Sequence, residues 1–232
     1  MTPDIKVQEF YPLDKSMDAG FANFMATGME SYEQAVAPMK RELFKRLLGS
    51  IPPQGATVVE VGMGTFPNAV YFGAKGAPTG MDIIGVDPND GMKGFAKDNA
   101  KKAGLMEPSK KNSLRVVHGV AEALPFETAS ADAVVCTLTL CSVYNPKQAV
   151  AEIKRVLKPG GVFLFHEHVL SETNPAFAKE QKRETRNQLL CHLDRRALQT
   201  IKDAGFASVD GEYWELKDFD FMNPTASGIA TA

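Results

Sequence analysis

The stretch VVEVGMGTFPN, residues 58–68, decides how the rest of the chain is interpreted. A short apolar run that contains Glu60 leads into the tight turn Gly62-Met63-Gly64. A buried strand that ends in a glycine-rich turn is typical of the first strand of a parallel α/β sheet. Glycines allow a left-handed backbone and let a ligand approach the N–H groups of the turn. Many α/β turns contain such glycines without a ligand, and only together with Asp87 after the second strand does this turn imply an adenosine-type ligand.

Short apolar runs and helical patterns alternate along most of the chain. Runs typical of buried parallel strands cover residues 57–61, 82–86, 114–118, 132–138 and 161–167. Helical patterns are predicted at 67–74, 91–104, 146–157, 171–193 and 194–204, with further strands at 206–216 and in SGIATA, 227–232, which we expect at an edge. This alternation predicts an α/β fold with a doubly wound parallel sheet.

Composition excludes several classes of protein. The net charge of −2 over 232 residues offers no basic excess for nucleic acid or an anionic membrane surface. No apolar run approaches the ~18 residues of a membrane span, and no secretory signal is recognised. Three cysteines without a CxxC pair favour free thiols, so we expect a reducing cytoplasmic or organellar interior and not secretion. No Cys or His stands at zinc-finger spacing, and no metal site is predicted.

The residues after the first two strands indicate which nucleotide is bound. Asp87 follows the second strand, where a carboxylate can accept the hydroxyl hydrogens of a ribose, although Asp87-Pro88-Asn89 also fits a simple turn. Pro67 has no N–H to donate to a pyrophosphate, and Glu60 is unfavourable beside phosphates. Both suit S-adenosylmethionine (SAM), which carries a sulfonium and an ammonium group and no phosphate. We therefore expect SAM and not a dinucleotide.

Five segments in order resemble the class I SAM-dependent methyltransferases: EVGMG at 60–64, VDPN at 86–89, GVAEALPF at 119–126, DAVVCTLTLCSV at 132–143 and RVLKPGGVFLFHEHV at 155–169. CHLDRRAL at 191–198 and AGF at 204–206 look like the methyltransferase-like protein 7 group, within the ubiquinone/menaquinone-type small-molecule methyltransferases. The resemblance implies a Rossmann-like sheet of seven strands with the last antiparallel. We expect residues 56–232 to form the methyltransferase domain and residues 1–55, an irregular segment and a helix, to form a lid.

The resemblance also implies positions for the cofactor contacts. The methionine part would lie at Glu60 and the glycine turn, the ribose at Asp87 and the adenine at Ala121 and Glu122. The full predicted set is Glu60, Gly62, Met63, Gly64, Asp87, Pro88, Ala121, Glu122, Cys136 and Thr137, with Tyr32 added as a residue that could reach the cofactor carboxylate. Phe66 departs from the family pattern, which usually has glycine there, so the path of the loop is open.

His166 and His168 are the candidate catalytic residues. Strand alternation places both on one face and Glu167 on the other, and an imidazole can take a proton near neutral pH. The alternative is that they hydrogen-bond neighbouring loops. We expect methyl transfer to a small-molecule thiol, hydroxyl or quinol-like carbon, largely through placement of the acceptor. The alternative function is a catalytically silent SAM-fold protein that acts as a binding or interaction module.

Overall fold

The computed structural model describes residues 9–11, 17–185, 191–216, 218–219 and 222–232. Within them, seven strands form one sheet in the order β3-β2-β1-β4-β5-β7-β6. The strands are β1 Thr57–Val61, β2 Asp82–Asp87, β3 Ser113–His118, β4 Ala131–Thr137, β5 Leu157–His168, β6 Ser208–Trp214 and β7 Thr225–Thr231. β7 runs antiparallel to β5 and β6, and the other pairs are parallel. The predicted doubly wound sheet with an antiparallel last strand is confirmed.

Helices cover both faces of this sheet. They are α1 Asp18–Thr27, α2 Glu30–Gly49, α3 Ala69–Phe72, α4 Met92–Lys102, α5 Pro146–Val156, α6 Pro175–Thr185 and α7 Ala197–Asp203. The helix predicted at 67–74 is a single turn, and the pattern at 171–193 is helical only over α6, with 186–190 outside the described residues. Among the described helices, none combines the length and apolar composition that crossing a bilayer requires.

Two hydrophobic cores lie on opposite faces of the sheet. β1 contributes to both because its side chains alternate: Val58 packs with Phe44 of α2 and Phe72 of α3, whereas Val59 packs with Ile153 of α5. Burial on both faces explains why the central strands are near-continuous apolar runs. The carboxyl ends of β1, β2, β4 and β5 are therefore left at one edge, where loops can form a site.

SGIATA lies inside the sheet, so the expectation of an edge strand is wrong. β7 is paired on both sides, with β5 and with β6, and β6 is the edge. The strand can be enclosed because its residues are small. Gly228 is packed so closely that a Cβ atom would lie 2.1 Å from the Asp210 carbonyl oxygen and 2.8 Å from the Phe165 ring. The small residues of β7 thus allow β6 and the Phe165 ring to approach β7 closely. The pattern of apolar residues in the sequence did not indicate this close packing.

Replacing Gly228 with Ala tests this close packing. The new Cβ atom must push β6 away from β7, and we expect the free energy of unfolding to fall by about 2 kcal/mol or more. Gly94 of α4 is the matched control, because it is exposed with open space at its Cβ position; Gly94→Ala should be neutral or stabilising by up to ~1 kcal/mol. Urea denaturation measures both variants, and equal stability would contradict the packing described here.

Candidate cofactor and acceptor site

A cavity of about 840 Å³ opens at the carboxyl edge of the sheet. Its base is formed by the loops after β1, β2, β3 and β4, and its cover includes Phe10, Tyr11 and two residues of α1, Phe21 and Met25. The predicted contacts that line it are Gly62, Met63, Gly64, Asp87, Pro88, Ala121, Glu122 and Thr137. The structure thus brings residues from four separate loops, predicted one by one from the sequence, to one cavity.

The turn after β1 requires glycine at its first position. Gly62 has a φ of 64°, and its N–H donates to the Val86 carbonyl of β2 over 2.8 Å. A Cβ atom on Gly62 would lie 2.2 Å from the Thr139 hydroxyl oxygen. Thr139 belongs to the loop after β4, so this turn is packed between two neighbouring strands. The glycine therefore serves the packing of the sheet edge as well as the approach of a ligand.

Asp87 joins the turn after β1 to the loop after β2. Its Oδ2 accepts the Gly64 N–H and its Oδ1 accepts the Asn89 N–H, each over 2.9 Å. Burial raises the pKa of Asp87 to about 6 in spite of these two bonds. A carboxylate has about four acceptor positions, so lone pairs stay available for a ligand in the cavity. Asp87 therefore keeps acceptor capacity towards the cavity.

Glu122 organises the side of the cavity beyond Asp87. Its Oε1 accepts the Asn145 N–H over 2.9 Å, and its carbonyl oxygen accepts the Gln148 side-chain amide over 3.0 Å. Both partners belong to the start of α5, where Asn145 is the N-cap. Burial raises the pKa of Glu122. The turn at Ala121 and Glu122 is thus fixed to a helix, which makes it a rigid surface for a flat ring.

Glu60 lies beneath the turn and not on the cavity wall. Its Oε1 accepts the Asn68 side-chain amide over 2.9 Å, and the same amide reaches the Thr137 hydroxyl at 3.1 Å. Burial raises the pKa of Glu60 to about 8, and its Oε2 finds no partner among the described residues. Cys136 is also set back, because its thiol contacts Glu167 Oε1 at 3.3 Å. Neither Glu60 nor Cys136 is among the described residues that line the cavity, and their predicted cofactor contacts stay predictions.

His166 and His168 are buried beside α2, away from the described residues that line the cavity. Tyr32 accompanies them: its hydroxyl lies 2.9 Å from His166 Nε2, and its ring meets the His168 ring edge-on. Burial lowers the pKa of His166 well below its ordinary value. Glu167 points the other way and accepts the Thr139 N–H at 3.1 Å. The three β5 residues and Tyr32 thus connect α2 with the loop after β4; none of the four is among the described residues that line the cavity, and the roles predicted for His166, His168 and Tyr32 stay predictions.

Other residues of the wall were not predicted. Leu138, Thr139, Ser142, Val143 and Tyr144 line the cavity from the loop after β4, and His192 lines it from the segment before α7. The His192 N–H donates to the Cys141 carbonyl over 2.7 Å, which holds this segment against the loop. The motif CHLDRRAL was the available signal for His192, but the residue pattern alone did not show that the segment returns to the cavity.

Comparison with known proteins identifies the family. A family model described as "Methyltransferase domain" matches residues 59–165. Human "Thiol S-methyltransferase TMT1A" is 32% identical over 209 residues, covering 84% of this chain and 81% of that protein. The chain belongs to this family of SAM-dependent methyltransferases. A C-methyltransferase of Klebsiella pneumoniae for ubiquinone/menaquinone biosynthesis is 27% identical over 178 residues, 68% of each chain.

The fold of this methyltransferase is shared with more distant proteins. Geranyl diphosphate C-methyltransferase of Streptomyces coelicolor, solved with S-adenosyl-L-homocysteine, superimposes with a TM-score of 0.61 at 16% identity over 84% of this chain and 75% of that one. The methyltransferase uses SAM, whose sulfonium supplies the methyl group. The cavity fits this cofactor: Asp87 keeps acceptor positions for ribose hydroxyls, and the Gly62–Gly64 turn allows close approach.

Phe66 adopts the backbone of the glycine that the family usually has. Its φ is 60°, and its fully buried side chain packs with Phe72, ring centroids 5.9 Å apart. A left-handed backbone costs roughly 1–2 kcal/mol for a residue with a Cβ atom, whereas burying a Phe side chain contributes about 1.5–3 kcal/mol. Burial of the Phe66 side chain therefore offsets the strain of its left-handed backbone.

At most helical or extended positions an alanine variant is more stable than a glycine variant, and at Phe66 we expect the reverse. Phe66→Gly removes the left-handed strain and Phe66→Ala keeps it, so the glycine variant should be more stable by about 1 kcal/mol. Phe72, at the end of helix α3, is the control, where alanine should be the more stable of the two. Thermal denaturation of the four variants provides the comparison. A Phe66→Ala protein more stable than Phe66→Gly would show that this backbone is not strained.

The affinity of the methyltransferase for S-adenosyl-L-homocysteine should fall as the pH drops from 7 to 5. The raised pKa of Asp87, about 6, means that its carboxylate is protonated over this range and loses acceptor capacity; we expect about a 10-fold weaker affinity at pH 5. Isothermal titration calorimetry at several pH values measures this. Asp87→Asn should bind S-adenosyl-L-homocysteine weakly at both pH 7 and pH 5, so its affinity should change less with pH. Asp90→Asn is the control, because Lys93 holds the pKa of Asp90 below its usual range, outside the window; a wild-type profile without a slope would contradict the role of Asp87.

Proposed function

We propose that this methyltransferase transfers the methyl group of SAM to the sulfur of a small, largely apolar thiol. The observation that carries the proposal is the 32% identity to a thiol S-methyltransferase over 84% of the chain. Similarity over that length includes the segment before α7 and the loop after β4, which line the cavity beyond the glycine turn. The proposal thus rests on relatives that match the acceptor end as well as the cofactor end.

The composition of the cavity wall supports an apolar acceptor. Beyond the glycine turn, the wall is formed by Phe21, Met25 and Met29 on one side and by Val143 and Tyr144 on the other. Ligand pockets usually enclose about 300–1,000 Å³, and this cavity, at about 840 Å³, lies towards the upper end of that range. Methionine side chains adapt to irregular apolar shapes, which suits a range of related acceptors.

A thiol is also the acceptor that needs least help from a base. A free thiol with a pKa of about 8.5 is a few per cent thiolate at neutral pH and is strongly nucleophilic in that form. An alcohol or a ring carbon needs a positioned base. The β5 histidines, which were the predicted bases, are turned towards α2 and Tyr32. The described wall does include one histidine, His192, and placement of a thiolate opposite the methyl group is the chemistry that does not depend on it as a base.

We further propose that the N-terminal part of the chain acts as the lid. α1 lies over the cavity, and the Asn89 side-chain amide donates to the Asp18 carbonyl at its first turn over 2.9 Å. Asn89 is the residue whose N–H reaches Asp87, so the cover is linked to the proposed ribose site. The long helix α2 differs, since its apolar residues belong to the core against the sheet.

A matched pair of acceptors tests the proposed reaction. Thiophenol and phenol share a ring and differ in the acceptor atom, and a ubiquinol-type ring represents C-methylation. We expect methyl thioether and S-adenosyl-L-homocysteine to form with thiophenol, at least about 100-fold faster than any product from the other two. Mass spectrometry of the products measures the rates. Turnover of the quinol ring without turnover of thiophenol would reject the thiol proposal and favour the chemistry of the 27% identical C-methyltransferase.

One substitution tests which end of the cavity holds the acceptor. Met25→Asp places a charge in the apolar wall and should raise KM for thiophenol about 10-fold or more, while the affinity for S-adenosyl-L-homocysteine stays near that of the wild type. Met106→Asp is the control, because Met106 is an exposed methionine outside the cavity wall. Equal KM values for the two variants would place the acceptor elsewhere.

A further inference from the structure

A second group of reactive side chains lies behind the cavity wall. Cys141 follows β4, His168 ends β5 and Cys191 precedes α7. One ligand atom from each residue lies within 4.8 Å of the other two, and Cys191 Sγ is 3.7 Å from His168 Nδ1. Cys141 and His168 are buried and Cys191 is partly buried. We call these three residues the Cys-His-Cys cluster; the proposed methyl transfer uses none of them.

The spacing of the cluster suits a tetrahedral metal. Zinc bound at about 2.3 Å from sulfur and 2.0–2.1 Å from nitrogen places neighbouring sulfur and nitrogen ligands roughly 3.5 Å apart. The 3.7 Å between Cys191 Sγ and His168 Nδ1 is close to that value. All three separations are at most 4.8 Å, so assembling a tetrahedral site requires the ligand atoms to approach one another by no more than roughly an ångström.

Backbone contacts hold the cluster together independently of its thiols. The His192 N–H donates to the Cys141 carbonyl over 2.7 Å, and the Leu170 N–H donates to the Arg195 carbonyl over 2.8 Å. The Arg195 guanidinium also donates to the Leu140 carbonyl. The segment before α7 is therefore fixed to the loop after β4 and to the end of β5. Three ligands on a framework assembled in this way require little ordering when an ion binds.

The chemistry of the donors selects a soft cation. Two sulfurs and one imidazole nitrogen match the ligands of zinc, whereas magnesium and calcium prefer oxygen. The tautomer with the proton on His168 Nε2 presents the Nδ1 lone pair to Cys191 Sγ, which lies 3.7 Å from Nδ1. Two thiolates balance the charge of a divalent cation, and their two protons are released on binding.

We propose that Cys141, His168 and Cys191 bind one zinc ion, with the fourth coordination position open to water. The sequence predicted no metal site because the three residues are far apart in the chain, and the zinc-finger spacing used there describes only local pairs. Zinc at this position ties the segment that carries His192 to the sheet. Since His192 lines the cavity, the ion stabilises the wall of the acceptor end from behind.

Metal uptake by the full chain tests the proposal without depending on methyl transfer. The protein is reduced with a phosphine, stripped with a chelator, incubated with zinc chloride at neutral pH and desalted before elemental analysis. We expect one zinc per chain in the wild type. Cys191→Ser should lose zinc affinity by at least about 100-fold, more than substitutions one shell further from a metal usually cost. Cys136→Ser is the matched control, since Cys136 is a buried free thiol outside the cluster and should leave uptake unchanged.

Two further measurements separate coordination from an effect on folding. Cobalt(II) should give thiolate-to-cobalt charge-transfer absorption with the wild type and Cys136→Ser, and little with Cys191→Ser. Zinc at 100 times its Kd should raise the Tm of the wild type by about 5 °C or more, and leave the Tm of Cys191→Ser unchanged. Cys191 is partly exposed, so this variant is expected to fold, which circular dichroism checks.

Clear outcomes overturn the proposal. Equal zinc uptake by the wild type and Cys191→Ser would place the ion elsewhere, and no uptake by the reduced wild type would remove the site. A Cys141–Cys191 disulfide in protein purified without reductant, together with no zinc binding after reduction, would show that the cluster is a thiol pair and not a metal site. None of these results depends on the acceptor of the methyltransferase, so the thiol proposal stands or fails separately.

Discussion

One buried carboxylate joins the tips of the first two strands. Asp87 accepts an N–H from Gly64 in one loop and from Asn89 in the next, and Asn89 continues the connection to Asp18 of α1. The glycine turn, the proposed ribose position and the cover of the cavity therefore share one anchor. Burial of the Asp87 carboxylate is unfavourable unless its oxygens accept hydrogen bonds. Loss of any one partner therefore destabilises the whole hydrogen-bonded network.

The course of the sheet could be predicted from sequence because the central strands are buried on both faces and leave little choice of residue. The direction of each side chain at the strand ends could not. Glu60 and Cys136 lie at the predicted edge of the sheet, but the Glu60 carboxylate accepts the Asn68 side-chain amide and the Cys136 thiol contacts Glu167. Alternation gives two faces, and only the packed helices decide which of them borders the cavity.

Residues distant in sequence were the other limit. The resemblance covered the loops proposed to bind the cofactor, yet the cavity is completed by α1 and by His192, which local patterns do not place. The His-Glu-His sequence of β5 suggested catalysis, which stays a prediction; in the structure His166 contacts Tyr32 and Glu167 accepts the Thr139 N–H, and neither contact could be placed from the sequence. Chemically versatile residues are informative about function only when their neighbours in space are known.

The insertion of β7 between β5 and β6 constrains the order of assembly. β6 precedes β7 in the chain but contacts the sheet only through it, since the strand order ends β5-β7-β6. A growing sheet therefore cannot add β6 alone. β6 therefore joins the sheet either after β7 or together with it as an antiparallel pair. In both cases the close contact between Gly228 and Asp210 forms only when β6 meets β7, so the small residues of β7 decide whether this edge of the sheet can close.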